Sequence, residues 1–195
     1  EIKSMESTRE MLSGEIISFS GKMEMAGVPV TKNGWVQGNE IVIKEKQFFR
    51  ENETRHPLDP EGKMTWGLMK ALRENNFKEK GREFETKVYS ADFGMASPTK
   101  ARIKTMGETE VSILGQNQKV FKTEISMATS VGKIKTQSWL DAWGFAVKTN
   151  MQLGGLPVEI KQSNEIEAKQ SPESKEFLLN TLIYLKKEIP SNAQS

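Results

Sequence analysis

Residues 139–148 read Trp139-Leu140-Asp141-Ala142-Trp143-Gly144-Phe145-Ala146-Val147-Lys148. Two β-forming runs meet here at a short turn. Asp141 can accept a hydrogen bond from the backbone ahead of it, and Gly144 can take the positive φ that a tight reversal needs. Before the turn, Lys133–Leu140 alternates polar and apolar residues. After it, Phe145, Val147, Met151 and Leu153 recur at period two. That period belongs to half-buried strands, so the stretch reads as an antiparallel hairpin.

The same texture extends both ways. Downstream, Val158–Ala168 aligns Val158, Ile160 and Ile166. Upstream, Glu83–Ser90, Thr99–Met106, Glu108–Leu114 and Lys119–Ala128 read as strands, with turns at Gly107 and at Gly115–Gln118. Further back, Ile16, Ile17 and Phe19 start a strand, Lys22–Ala26 alternates, and Gly27-Val28-Pro29 marks a turn or an edge. Gly38-Asn39 is a hairpin signal between Gly34–Gln37 and Glu40–Phe49. No internal repeat recurs at a fixed period.

Three stretches break the pattern. Residues 1–12 form a loose, polar lead-in. Residues 51–62, with two prolines and a glycine, read as the clearest loop in the chain. Residues 63–75 follow as a helix, with Trp66, Met69 and Leu72 near helical spacing and Asn75-Asn76 as terminator. Residues 171–195 stay open. Ser171-Pro172-Glu173 could begin a helix with a Leu178, Leu182 and Leu185 stripe, whereas Leu179–Leu185 fits a buried strand as well. The expectation is a single β-rich domain over 1–195. Its class is mainly β (α+β), a curved antiparallel sheet or partial barrel with one helix packed on it.

Composition narrows function. The 195 residues are 36% hydrophobic and 28% charged, with 28 basic and 26 acidic side chains and a net charge of +2. That near-balance gives no footprint for nucleic acid. The absence of cysteine removes disulfides, thiolate metal sites and thiol nucleophiles. His56 is the sole histidine. It lies beside Pro57 in the polar loop, no G-x-S-x-G elbow occurs, and it reads as a solvent-facing loop residue. No glycine-rich phosphate loop is present, Gly154-Gly155 reads as a turn, and neither cofactor nor metal is expected. Asn52-Glu53-Thr54 matches a glycosylation pattern too short to carry weight.

Lys100, Arg102 and Lys104 share a strand face that Glu108 and Glu110 are expected to answer from the next strand, as a solvated ion-pair face. Asp59, Glu61 and Asp92 are the carboxylates a hydrolase would have to pair. They read as solvated loop charges. No apolar run approaches the ~18–20 residues that span a bilayer. The chain begins at Glu1 rather than methionine, so a processed product or a cut piece is expected, from which a signal segment could be missing.

The hairpin at 139–148, then Gln152-Leu153-Gly154-Gly155 and Asn164-Glu165-Ile166-Glu167-Ala168, resembles a block of exported bacterial proteins. It looks like the β domain that precedes the catalytic core of bacterial transglutaminase-like proteins, and it is similar to the periplasmic DUF3108 and LolA-like lipoprotein-carrier folds. Gly14–Ile43, the helix before Gly81, and Leu179–Pro190 belong to the same likeness. The resemblance implies a periplasmic or otherwise extracytoplasmic address, and a curved sheet around a helix. It tips 179–185 towards a strand, and it places no catalytic residue on this chain.

The function expected is therefore that of a non-catalytic exported domain binding a partner protein, a peptide or an apolar ligand, as an accessory domain of a transglutaminase-like protein. Trp66, Met69, Met95, Met106, Trp139 and Trp143 are the expected groove residues, because methionine adapts to varied surfaces and tryptophan suits sites with one apolar and one wet side. Met64, Met127 and Met151 are further lining candidates, with ordinary core filling as the alternative for every methionine. A lipoprotein-carrier-like lipid-binding protein is the first alternative and a carboxylate-dependent hydrolase the second. Peripheral membrane attachment would come through a lost lipoprotein signal.

Overall fold

The computed structural model describes residues 2–25, 28–90, 94–129, 132–153 and 156–166. The chain divides into two units, 1–163 and 164–195, and of the second only 164–166 are described. The segment 171–195 therefore lies outside the described residues, as does Asp92.

The first unit is two antiparallel meanders joined by one helix. β1 (Ile2–Glu10), β2 (Ile16–Met25), β3 (Val28–Gln37), β4 (Glu40–Gln47) and β5 (Arg50–Pro57) form a five-stranded sheet in chain order. β6 (Gly62–Lys63), α1 (Thr65–Glu74) and β7 (Glu83–Ser90) make a parallel crossover. β8 (Gly94–Ile113), β9 (Gln116–Thr129), β10 (Gly132–Leu140), β11 (Ala146–Leu153) and β12 (Leu156–Lys161) then continue the seven-stranded sheet. The expected mainly β, α+β class with one helix holds, and it is built on two sheets.

Several boundaries differ from the sequence reading. The lead-in is strand β1, held by nine register pairs to β2. Most of the polar loop is strand β5, and only residues 58–61 remain as a connection. An edge strand with both faces largely wet needs no apolar alternation, so its composition looks like a loop. Gly107 does not turn the chain. At φ 85 it sits in a β-bulge between Thr105 and Gly107, and β8 runs on for 20 residues. β12 stops at Lys161, short of the strand expected to reach Ala168. Gly38 (φ 62) turns β3 into β4 as anticipated.

The core falls into three clusters, of which one joins Ile113, Val120 and Val147 with Val111 and Trp139 packed against them. Ile16, Phe19, Ile41 and Ile43 of the first sheet pack with Met64 and Tyr89. Gly34 is required there, since a Cβ would stand 2.0 Å from the Phe19 ring. Leu72 of α1 and Phe77 pack with Ile103 and Leu140 of the second sheet, flanked by Leu68, Phe84, Phe121 and Ile125. A buried row of hydroxyls, Thr105, Thr123 and Ser138, crosses that face to Thr149. Thr105 secures the segment after α1. Its Oγ1 donates to the Glu79 carbonyl and accepts from the Arg82 N–H at 2.9 Å.

Two turns of the same form grip α1. Met11–Glu15 and Asp141–Phe145 each follow a register shift, close with an N–H···O bond of 2.8 Å from first to fifth residue, and place glycine fourth, Gly14 at φ 94 and Gly144 at φ 93. The strands beyond them match as well. Met23-Glu24-Met25-Ala26-Gly27-Val28-Pro29-Val30 parallels Met151-Gln152-Leu153-Gly154-Gly155-Leu156-Pro157-Val158, and the pairs Met23↔Val30 and Glu24↔Pro29 correspond to Met151↔Val158 and Gln152↔Pro157. Each sheet thus contains one copy of a turn-and-hairpin unit.

The helix lacks a capping side chain of its own, because Met64 occupies the N-cap. Glu10, at the end of β1, supplies the cap. Its two carboxylate oxygens accept the N–H groups of Trp66 and Gly67, each at 2.8 Å. A carboxylate there satisfies two orphan donors and opposes the positive end of the helix dipole. Glu10→Ala is expected to cost about 1–2 kcal/mol and to lower the melting temperature by about 2–8 °C, with Glu10→Gln intermediate. Equal melting of Glu10→Ala and wild type in a thermal scan would rule out the cap.

Candidate functional site

The outer side of α1 gathers two of the expected groove residues. Trp66 donates its ring N–H to the Leu12 carbonyl at 3.1 Å, and Lys70 donates to the Ser13 carbonyl at 3.1 Å. Seven residues after Trp66, Arg73 donates from Nε to the Trp143 carbonyl at 2.8 Å. Its guanidinium lies 5.9 Å from the Trp66 ring and 5.8 Å from the Trp143 ring, a cation between two aromatic faces. Trp143 is 66% exposed.

The other expected residues disperse. Met69 is buried, as core filler rather than lining. Met106 is half-buried beside the β8 bulge. Met95 lies in β8, and its side chain is outside the described part. Trp139 stands on the opposite face of its strand from buried Leu140, with the ammonium groups of Lys122 and Lys148 at 5.2 and 5.4 Å from its ring. One common groove of all six residues therefore does not form.

A groove of about 530 Å³ does open where the 141–145 turn meets β11 and β12. Phe145, Val147 and Ile160 give it apolar walls, Lys148 and Lys161 face each other across the strand pair, and Thr149 brings the hydroxyl row to its edge. Phe145 and Ile160 are 52% and 55% exposed. Lys148 bridges Glu159 at 2.7 Å, whereas Lys161 makes no ion pair among the described residues. The mouth is rigid. Asp141 Oδ1 accepts the N–H groups of Trp143 and Phe145, both at 2.9 Å, the bond expected of an aspartate at this turn. Trp143 and the turn's polar character were legible in the sequence. Ile160 and Lys161 were not, since only strand pairing brings them to Phe145.

The carboxylates expected of a hydrolase are committed elsewhere. Asp59 and Glu61 both clasp Lys87, at 2.7 Å each, so the two carboxylates share one cation. The lysine hydrogen bond, helped by the Glu61 N–H, holds the Asp59 carboxyl below its usual range near 3.8. Its two carboxylate partners push Lys87 above its ordinary 10.5. Tyr89 accepts the Asp59 N–H at 2.9 Å, and burial raises its phenol. His56 is not a loop residue. It lies half-buried in β5 with Nε2 3.1 Å from Thr54 Oγ1. No group of three metal-ligating side chains occurs among the described residues.

The basic strand face is also rearranged. Glu108 and Glu110 belong to the same strand as Lys100, Arg102 and Lys104, because β8 runs through Gly107. The answering carboxylates come from β7. Lys104 meets Glu83 at 3.1 Å and Arg102 meets Glu85 at 3.3 Å, while Glu108 pairs with Lys119 of β9 at 3.1 Å. The face is a solvated ion-pair ladder, on different partners. No helix among the described residues is long and apolar enough to cross a membrane.

The Asp59–Lys87 pair carries a pH signature. A depressed carboxyl stabilises the fold above its unfolded value and loses that stabilisation as pH falls through the folded value. A raised ammonium stabilises below about 10.5 and loses it as pH rises through the folded value. The contribution is whole between about pH 4 and pH 10. Lys87→Met should flatten the fall in melting temperature at both ends of that window. Parallel wild-type and variant pH–melting curves would discount the clasp.

Neither a family model nor a curated protein matches the chain. Among solved structures, its fold is similar to that of a β-barrel-like protein of domain of unknown function DUF1849 from Brucella abortus. The TM-score is 0.59 at 12% identity, over 82% of this chain and 72% of that one. At that identity the likeness is one of fold, and it identifies a β-rich architecture that a bacterial protein shares.

Proposed function

We propose that this chain is a non-catalytic bacterial binding domain whose ligand is an apolar segment bearing an anionic group, held in the groove between the 141–145 turn and β12. The observation that carries the reading is the pairing of exposed apolar walls, Phe145 and Ile160, with Lys161, a cation that makes no ion pair among the described residues. An apolar cleft with few convergent polar groups is the usual form of a small-ligand or peptide site. Trp143, whose carbonyl accepts from Arg73, belongs to the same turn and supplies a fluorophore close to the groove.

The absence of an enzymatic role belongs to the same reading. The sole histidine is bonded to a threonine, and Asp59 and Glu61 share a lysine rather than a proton. An extracytoplasmic address and an accessory role beside a transglutaminase-like core follow from the resemblance of Trp139–Lys148 and the Gly154-Gly155 block to exported domains. A lipoprotein carrier needs a large enclosed apolar cavity. The groove described is open and flanked by lysines, which favours a short peptide or the end of a single acyl chain.

Titration with dodecanoate, or with an acidic apolar peptide, should shift the tryptophan emission to the blue. Ile160→Asp and Lys161→Glu should each weaken binding by about tenfold, equivalent to about 1.4 kcal/mol, with little change in melting temperature. Wild-type protein whose emission responds to neither probe would falsify the groove.

A further inference from the structure

The tip of the β4–β5 hairpin carries an unexplained pairing of strain and exposure. Gln47 pairs with Arg50, which leaves Phe48 and Phe49 as a two-residue loop. Such loops favour glycine or asparagine, because the backbone must take positive φ. Here Phe48 takes φ 54, a region in which bulky side chains are rare and strained. Neither ring is packed away in return, since Phe48 is 60% and Phe49 103% exposed.

The charges behind the tip are arranged unevenly. Lys46 lies beside Thr31, which lies beside Lys22, in one cross-strand row, and Arg50 stands at the tip itself. Lys32 and Lys44, one step back, are bridged to Glu45 and Glu53 at 3.5 and 3.6 Å. Lys22, Lys46 and Arg50 make no ion pair among the described residues, and Glu51 opposite Lys46 forms no bridge.

We infer that Phe48-Phe49 is a membrane-surface anchor, its two rings seated at the headgroup–acyl boundary of an anionic bilayer while Lys22, Lys46 and Arg50 face the lipid phosphates. Long basic side chains keep their charge at the headgroups while their stems lie along apolar surface, and anionic lipids attract such clusters. A bilayer fits this tip better than a protein does. Two aromatic side chains on a convex turn bury roughly 150–250 Å² each, short of the ~800 Å² per partner of a stable protein interface.

The test is flotation of the whole chain with vesicles of phosphatidylcholine, and of phosphatidylcholine mixed with phosphatidylglycerol. Wild-type protein should float with the anionic vesicles, and less so at high salt. Phe48→Asn with Phe49→Gly should lose at least tenfold in vesicle affinity yet melt at or above the wild-type temperature, because that pair suits the turn. Phe49→Ser, at a ring that packs against nothing, gives the same reading in a minimally altered fold. Failure of the wild type to bind either vesicle, with the tip then left to a partner protein, overturns the inference. So does undiminished binding by both tip variants.

Discussion

Glu10 ties the first sheet to the one helix on which the second sheet packs. It ends β1, yet both of its carboxylate oxygens are spent on the first N–H groups of α1. A ten-residue helix begun by methionine has weak local reasons to form. Its stability comes from outside, through the Glu10 cap, the Leu72 contacts on the second sheet, and the two turns that touch it. Gly67 and Gly14 make this approach feasible, since a Cβ on Gly67 would stand 3.0 Å from the Gly14 carbonyl oxygen. The crossover from β6 to β7 is thereby fixed, and so is the 141–145 turn that forms one wall of the groove.

The sequence was read correctly where a local signal sufficed. Gly38-Asn39, the Asp141 turn, α1 and the alternating strands β7, β9 and β10 all follow from residues close together in the chain. It was misread where composition and pairing disagree. β1 and β5 are polar because they lie at sheet edges, and their partners, not their side chains, make them strands. Gly107 looks like a turn residue but serves a bulge. The matching Met23–Val30 and Met151–Val158 hairpins escape a search for fixed periods because they recur once only, with a shorter strand between turn and hairpin in the second copy.

The candidate site was partly legible for the same reason. Tryptophan marked the right turn, but the partners of Trp143 come from α1, and those of Phe145 come from β12. Distance along the chain hides both. Methionine misled, because Met69 has the composition of a groove residue and the burial of a core one. The carboxylates near residue 60 read as solvated loop charges from composition alone. They are not free loop charges, however, because Lys87 of β7 holds them.

The two like turns also govern the order in which the chain can assemble. During synthesis the first sheet and α1 emerge well before Trp143, so the helix can dock on Glu10 and Leu12 while the Arg73 contact and the Leu140 packing are still missing. Contacts that join such distant parts of a chain form slowly. The nascent protein therefore passes through a half-clasped stage, with the sheet-facing side of the helix covered first by β7 to β9 and completed only when Leu140 of β10 arrives. A chain that crosses a membrane N-terminus first would meet the same interval, and there a chaperone that covers apolar helix surface would have its greatest effect.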